Sequence, residues 1–262
     1  MNVTRFLEDL SARGIRIAPN DGKLSVSGPD GALTDAVKDS IRTHRAEILR
    51  FFREYEEEQY RRSVRIQRVD RREPVPASYA QQRLWLVEQT ATDLPVYNMY
   101  FATELRGDLD EAALRAAADD LVQRHEILRT ALSETPEGLF QIIEDDCATV
   151  FETHRADTPQ EYDKLLLEVV SVRFDLATAP LIRFDLLRRA ERRWTFIVTQ
   201  HHVVSDGWSP GLIKKELSEF YAARVAGRSP RLPELSVQYA DYAVWEREWL
   251  GRDLAQRQRE YW

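Results

Sequence analysis

The sequence predicts an α/β sandwich with a small αββαα unit at its N-terminus. From residue 77 onward, apolar residues recur alternately at strand and helix spacing. The first 52 residues carry their own helix–hairpin–helix–helix pattern, and a charge-dense stretch closed by prolines separates the two regions. With 262 residues the chain can hold one large domain or two smaller ones, and 43% hydrophobic residues support a real core.

In the small unit, Val3, Phe6, Leu7 and Leu10 fall at i, i+3, i+4 and i+7, one face of a helix. Ile15, Ile17, Leu24 and Val26 alternate on either side of Asn20-Asp21-Gly22, and an Asp-Gly step between alternating apolar runs is a hairpin turn. Thr34 can cap a helix carrying Val37 and Ile41, and Ile48, Leu49 and Phe52 continue a helical stripe. Residues 53–73, beginning Arg53-Glu54-Tyr55-Glu56-Glu57-Glu58, mix charge signs at helical spacing and read as a solvated linker helix. Pro74 and Pro76 end it, so the larger domain is expected to span residues 74–262.

In that domain, residues 100–105 read as a strand, and Asp108 or Asp110 can cap a helix running to about Glu126. Residues 127–132 and 139–143 read as strands. Thr158-Pro159-Gln160-Glu161 is a capping box that opens a helix with Leu165, Leu166, Val169 and Val170. Residues 181–187 and 194–199 read as neighbouring strands. Ser209 is placed at the N-cap of a last helix with Pro210 as its first residue; this helix is expected to bury Leu212, Ile213, Leu217 and Phe220 and to end at Gly227.

Composition excludes several function classes. A net charge of −7, from 37 basic and 44 acidic residues, gives no general footprint for nucleic acid. No segment has the length and apolarity of a membrane span, and the N-terminus lacks the apolar run of a signal peptide. The lone Cys147 excludes an internal disulfide, suits a reducing, cytoplasmic setting and reads as structural. There is no GxSxG, P-loop or dinucleotide fingerprint.

The chemistry concentrates in His201-His202-Val203-Val204-Ser205-Asp206-Gly207-Trp208-Ser209, between a β-rich run and a helix start. Neighbouring residues at a strand end point to opposite faces, so the two histidines have different roles. A histidine titrates near neutrality and suits proton transfer. His202 and Asp206 are four apart, but they lie on a loop with no third ligand, so no metal is expected. His44, His125 and His154 read as solvated or structural.

This segment resembles the HHxxxDG motif of condensation domains in nonribosomal peptide synthetases, relatives of chloramphenicol acetyltransferase. Three further segments match that family in order: Ser78-Tyr79-Ala80-Gln81-Gln82-Arg83-Leu84-Trp85, Arg124-His125-Glu126-Ile127-Leu128-Arg129-Thr130 and Tyr239-Ala240-Asp241-Tyr242-Ala243-Val244-Trp245. Leu132 stands where the second motif usually has Phe, and Gln200 where an apolar residue is common; both read as packing variations. The resemblance implies a chloramphenicol-acetyltransferase-like N-terminal lobe, with the site completed by a C-terminal lobe. It implies amide formation between an acyl or peptidyl thioester and an aminoacyl thioester, both carried on the phosphopantetheine of donor and acceptor carrier proteins. No cofactor is bound directly.

In this reading His202 contacts the attacking amine as base or positioner, and His201 packs beneath the loop. Asp206 is structural, paired with Arg129 or, second, Arg124. Gly207 supplies a positive φ or close approach of the pantetheine arm, and Trp208 is a core aromatic. The first 52 residues resemble N-terminal docking domains of the tubulysin-synthetase type, through the Gly14-Ile15 turn, Gly31-Ala32-Leu33-Thr34 and the closing helix. That implies capture of the C-terminal tail of an upstream synthetase protein on the hairpin residues Ile15, Arg16, Ile17, Lys23, Leu24 and Val26. The readings weighed against this are a non-catalytic docking fragment, an epimerisation-type domain and a stand-alone acyltransferase of the same superfamily. The 262-residue chain alone is expected to have little activity.

Overall fold

A computed structural model describes residues 3–20, 23–29, 31–90 and 95–250, with the side chains of residues 20 and 56–64 outside the description. Asp21 and Gly22 of the predicted turn also lie outside the described residues. The chain forms two compact units, residues 1–65 and 66–262. Among the described residues, no helix is long and apolar enough to cross a membrane.

The first unit is α1 (Val3–Ala12), β1 (Arg16–Asn20), β2 (Lys23–Ser27), α2 (Asp35–Thr43) and α3 (Arg45–Val64). β1 and β2 pair antiparallel, with Ile17 opposite Val26. Leu10, Ile15, Val37, Ile41 and Ile48 are buried together, with Phe6, Leu7, Ile17, Leu24, Val26 and Phe52 packed around them. Gly14 turns the chain out of α1 at φ +76°, a conformation that favours glycine, and a Cβ there would also come within 3.1 Å of Pro29. Thr34 Oγ1 accepts the Val37 N–H at 3.4 Å and so starts α2.

The second unit contains β3 (Val75–Pro76), α4 (Tyr79–Thr90), β4 (Asn98–Arg106), α5 (Glu111–Arg124), a 3₁₀ turn (Glu126–Arg129), β5 (Thr130–Thr135), β6 (Gly138–Ile143), β7 (Val150–Arg155), α6 (Pro159–Val170), β8 (Ile182–Ala190), β9 (Arg193–His201), α7 (Ser209–Val225) and α8 (Tyr239–Leu250). A four-stranded sheet runs β4-β9-β8-β7, and a smaller one runs β3-β6-β5. β7 and β8 pair parallel, which requires a crossover, and α6 supplies it.

Period-two alternation then sorts the strand side chains. Phe184, Leu186, Phe196 and Val198 join the main core with Leu114, Leu121, Leu217 and Phe220 of α5 and α7. Leu187 and Ile197 face the other way, onto Val169 and Leu165 of α6. The sheet is thus covered on both faces, a two-sided α/β sandwich.

Several boundaries differ from the sequence reading. Residues 127–132 do not form one strand. The Leu128 N–H donates to the His125 carbonyl at 3.0 Å and closes a 3₁₀ turn, so the strand starts only at Thr130. A short apolar run does not distinguish these outcomes. Trp208, not Ser209, holds the N-cap position of α7 and makes no side-chain cap bond, Ser209 is already helical, and Leu212 is exposed while Glu216 takes the buried position. The charged helix ends at Val64, not near Pro74, and the segment beyond it belongs to the second unit through Arg71. The Arg71 guanidinium bonds Asp241 Oδ1 and Glu126 Oε2, each at 2.8 Å.

Candidate active site

One cleft of about 530 Å³ brings together all four sequence motifs of the second unit. Ala80, Gln81, Arg83 and Leu84 line it from α4, and His125 and Ile127 from the turn after α5. His202 to Asp206 come from the turn after β9, and Tyr239 and Tyr242 from α8.

The α4 wall is set by a capping arrangement within the first motif. Ser78 Oγ accepts the Gln81 N–H at 3.1 Å, while Gln81 Oε1 accepts the Ser78 N–H at 2.9 Å. This reciprocal pair satisfies two donors at the helix start. The Ser78 hydroxyl also meets the Tyr239 hydroxyl at 2.9 Å, tying α4 to α8. Burial pushes the Tyr239 phenol above its ordinary pKa.

The two histidines part as their alternation requires. His201 closes β9 and is 2% exposed. Its Nδ1 accepts the Val203 N–H at 3.1 Å, and burial pushes its pKa down to about 4. His202 is half-buried, with its backbone N–H donating to the Tyr97 carbonyl at 2.8 Å. Its Nδ1 lies 2.6 Å from the Ser205 carbonyl, which can only accept, so Nδ1 carries the hydrogen. In the neutral ring, Nε2 is left with the lone pair.

The expected ion pair of Asp206 with Arg129 or Arg124 is absent. Arg129 bonds the Glu144 carbonyl and lies 3.8 Å from Asp145. Arg124 bonds Glu216 at 3.1 Å, and Glu216 also accepts from His125 Nε2 at 2.6 Å. Glu216 is 4% exposed, so the Arg124 guanidinium compensates the acid that α7 buries and His125 adds a second hydrogen bond to it. Asp206 itself is exposed and caps α7. Its Oδ1 accepts from Ser209 Oγ at 2.7 Å and from the Trp208 and Ser209 N–H groups at 3.0 Å each. The Ser209 hydroxyl foremost holds its carboxyl below the usual carboxylate range.

Two neighbours also depart from expectation. Gly207 is not in the left-handed region, and a Cβ there would meet nothing within 4 Å among the described residues. Trp208 is 90% exposed, outside the core, because the cap at Asp206 turns it outward at the head of α7. Asp241 of the fourth motif has a role that sequence reasoning missed. It is 0% exposed and accepts from Arg71, Val69 N–H and Gln238 N–H. Burial alone would raise its carboxyl, but these partners hold it below the usual range.

His154 offers a second polar cluster with Glu152 and Asp185, whose ligand atoms lie within 4.8 Å of one another. Arg183 reaches both acids, at 3.1 Å from Asp185 and 3.5 Å from Glu152, so a guanidinium already occupies the cluster and offsets one of its two negative charges.

In the first unit, a groove of about 560 Å³ has Lys23, Lys38, Arg42 and Arg45 at its rim and Leu24, Val26, Leu33 and Ile41 as its floor. Arg16 is exposed and Ile17 half-buried on the paired strand, whereas Ile15 is only 2% exposed. Ile15 therefore belongs to the core and offers no binding surface.

Comparisons with known proteins identify the families to which the two units are similar. Residues 71–262 match the family model for the condensation domain, and residues 3–54 match the model for the TubC N-terminal docking domain. A linear gramicidin synthase protein of Brevibacillus parabrevis is 36% identical over 206 residues, 76% of this chain and 3% of that protein. A dimodular nonribosomal peptide synthase of Bacillus subtilis (strain 168) is 40% identical over 189 residues, 72% of this chain and 8% of its own length. The X-domain from teicoplanin biosynthesis aligns with a TM-score of 0.66 at 34% identity, covering 71% of this chain and 41% of that one. The starter condensation domain of rhizomide synthetase aligns at 0.67 and 23% identity, covering 72% and 47%, which shows a shared fold. The chain thus spans less than a tenth of these curated relatives and under half of these solved domains. By the family match over residues 71–262 and the four motifs gathered at one cleft, this chain belongs to the condensation domain family and carries a TubC-type docking domain ahead of it.

Proposed function

We propose that the second unit supplies the His202 half of a condensation site in a nonribosomal peptide synthetase, completed by a second lobe of similar architecture. The convergence of all four motifs on the His202 cleft carries this reading. The reaction joins a carrier-bound acyl or peptidyl thioester to the amine of a carrier-bound aminoacyl thioester. Holding both tethered reactants in register supplies much of the rate, since orientation is worth several kcal/mol. As the N–C bond forms, the amine must shed a proton. His202 can accept it at Nε2, because Nδ1–H is committed to the Ser205 carbonyl. His201 and Asp206 support the turn and touch no reacting atom. The phosphopantetheine arms belong to the carrier proteins, and no bound cofactor is required.

The first unit docks an upstream synthetase protein in this reading. Its cationic rim over an apolar floor suits an acidic, partly apolar C-terminal tail. Strand addition at the hairpin would supply backbone bonds, and charge would supply partner choice and salt sensitivity. Titration of the chain with the upstream tail should move the amides of residues 16–27; shifts confined to α3 would refute docking at the hairpin.

Single-turnover amide formation in the intact synthetase tests the chemistry. His202→Ala should lose roughly 10²–10⁴-fold with the melting temperature unchanged. Near-normal amide formation by that variant would refute the role of His202.

A further inference from the structure

The buried histidine has one nitrogen accounted for and one that is not. His201 Nδ1 accepts the Val203 N–H, so the proton of the neutral ring sits on Nε2. Among the described residues that Nε2 has no hydrogen-bond partner, and opposite it at 3.7 Å lies Glu88 Oε2, which also has none. Glu88 stands near the end of α4 and is 6% exposed, and its other oxygen lies 3.7 Å from Arg173 Nε. The rings of Phe174 and Tyr97 meet His201 edge-on at 6.3 and 6.2 Å and confine its plane. The gap to Glu88 exceeds a hydrogen bond, and a side-chain movement of less than about 1 Å closes it.

We propose that Glu88 is a positioning residue for the His202 turn: by receiving the His201 Nε2–H it selects the tautomer whose Nδ1 anchors Val203. In the opposite tautomer, Nδ1–H would face the Val203 N–H, donor against donor, and the turn would lose its anchor. Val203 leads through Val204 to Ser205, whose carbonyl orients the His202 ring. The path from Glu88 to His202 therefore runs through one buried ring and one short turn. This role rests on the reading that His202 carries the chemistry, and it deepens that reading.

Nitrogen-15 spectra of the histidine side chains in the full chain test the tautomer directly, with the His201 signals identified by their loss in His201→Gln. The wild-type His201 ring should be neutral at pH 7 with its hydrogen on Nε2. Glu88→Leu should populate the other tautomer and speed exchange of the Val203 amide about tenfold or more, as local opening does. Glu88→Gln, whose carboxamide oxygen still accepts, should retain the wild-type spectrum. If Glu88→Leu fails to fold, Glu88→Asp draws the carboxylate back by one methylene and should shift the tautomer in the same direction. In the intact synthetase, Glu88→Leu should slow single-turnover amide formation roughly 10–100-fold without changing half-saturation by either carrier protein. A wild-type ring protonated on Nδ1, or a folded Glu88→Leu or Glu88→Asp variant with unchanged tautomer and Val203 exchange, would overturn the proposal. The spectra need no turnover. An inert His202→Ala substitution would therefore refute the functional reading alone, and an unmoved tautomer would refute the role of Glu88 alone.

Discussion

Replacing Asp206 with alanine is expected to fray the start of α7 and leave the rest of the second unit folded. The carboxylate accepts from the Trp208 N–H, the Ser209 N–H and the Ser209 hydroxyl. Summed as isolated bonds to a charged acceptor these would be worth several kcal/mol, but Asp206 is exposed and water replaces much of what is lost. The governing magnitude is therefore that of a helix cap, about 1 kcal/mol and at most about 2. For a unit of this size that lowers the melting temperature by roughly 2–4 °C per kcal/mol. Asp206→Asn keeps an acceptor at the same place and should stay within about 0.5 kcal/mol of wild type. This reverses the expectation from sequence, in which an arginine partner would make even Asp206→Asn damaging. Amide exchange of Trp208 and Ser209, read beside urea unfolding of the full chain, separates local fraying from global loss. Asparagine as harmful as alanine, or a loss above about 3 kcal/mol, would refute the cap and restore a buried ion pair.

Other outcomes follow from the same geometry. Arg71→Met leaves Asp241 buried without its cation and should destabilise the second unit by about 3–5 kcal/mol in urea unfolding, with Asp241→Asn in the same chain recovering part of it. His201 should make stability fall with acid. Its folded pKa near 4 lies below 6.5, so the unfolded chain binds the proton first; stability is complete above pH 6.5, is lost toward pH 4, and amounts to at most about 3 kcal/mol. A His201→Gln variant with the same pH slope as wild type would contradict this. Ile48→Ala, at a site with 0% exposure, should cost the small first unit about 2–5 kcal/mol and melt it before the second, giving two transitions by calorimetry.

Local rules are the most legible part of the sequence. Thr34 and the Thr158–Glu161 capping box start their helices as read, because caps depend on residues three apart. The alternation around the hairpin and along β8 and β9 places the strands, although His201 is itself the last residue of β9. The cleft is legible only through the resemblance, since its walls come from four separate segments. What fails is the identity of long-range partners. Arg124 and Arg129 adjoin the right turn in the chain, yet they are taken by Glu216 and by the Glu144 carbonyl. Trp208 reads as a core residue because large aromatics usually are, whereas helix capping turns it to solvent. The edge strand β7 has no alternating apolar signal, with only Phe151 buried among Val150–Arg155. Ser78 and Gln81 match a family motif that assigns them no role, although S-x-x-Q before an apolar run is itself a cap signature.

The clasp of Arg71 on Asp241 also decides where this chain can be cut and rejoined. Pro74 looks like the natural seam, because charge and proline signal a linker there. Exchanging everything before Pro74 between synthetases would carry Arg71 away with the discarded segment. The fourth motif would then keep a sealed-in carboxylate facing whatever residue the donor happened to bring. A junction at residue 65 or earlier keeps cation and acid in one inherited piece, so the first unit can be exchanged while the condensation domain retains its own counterion.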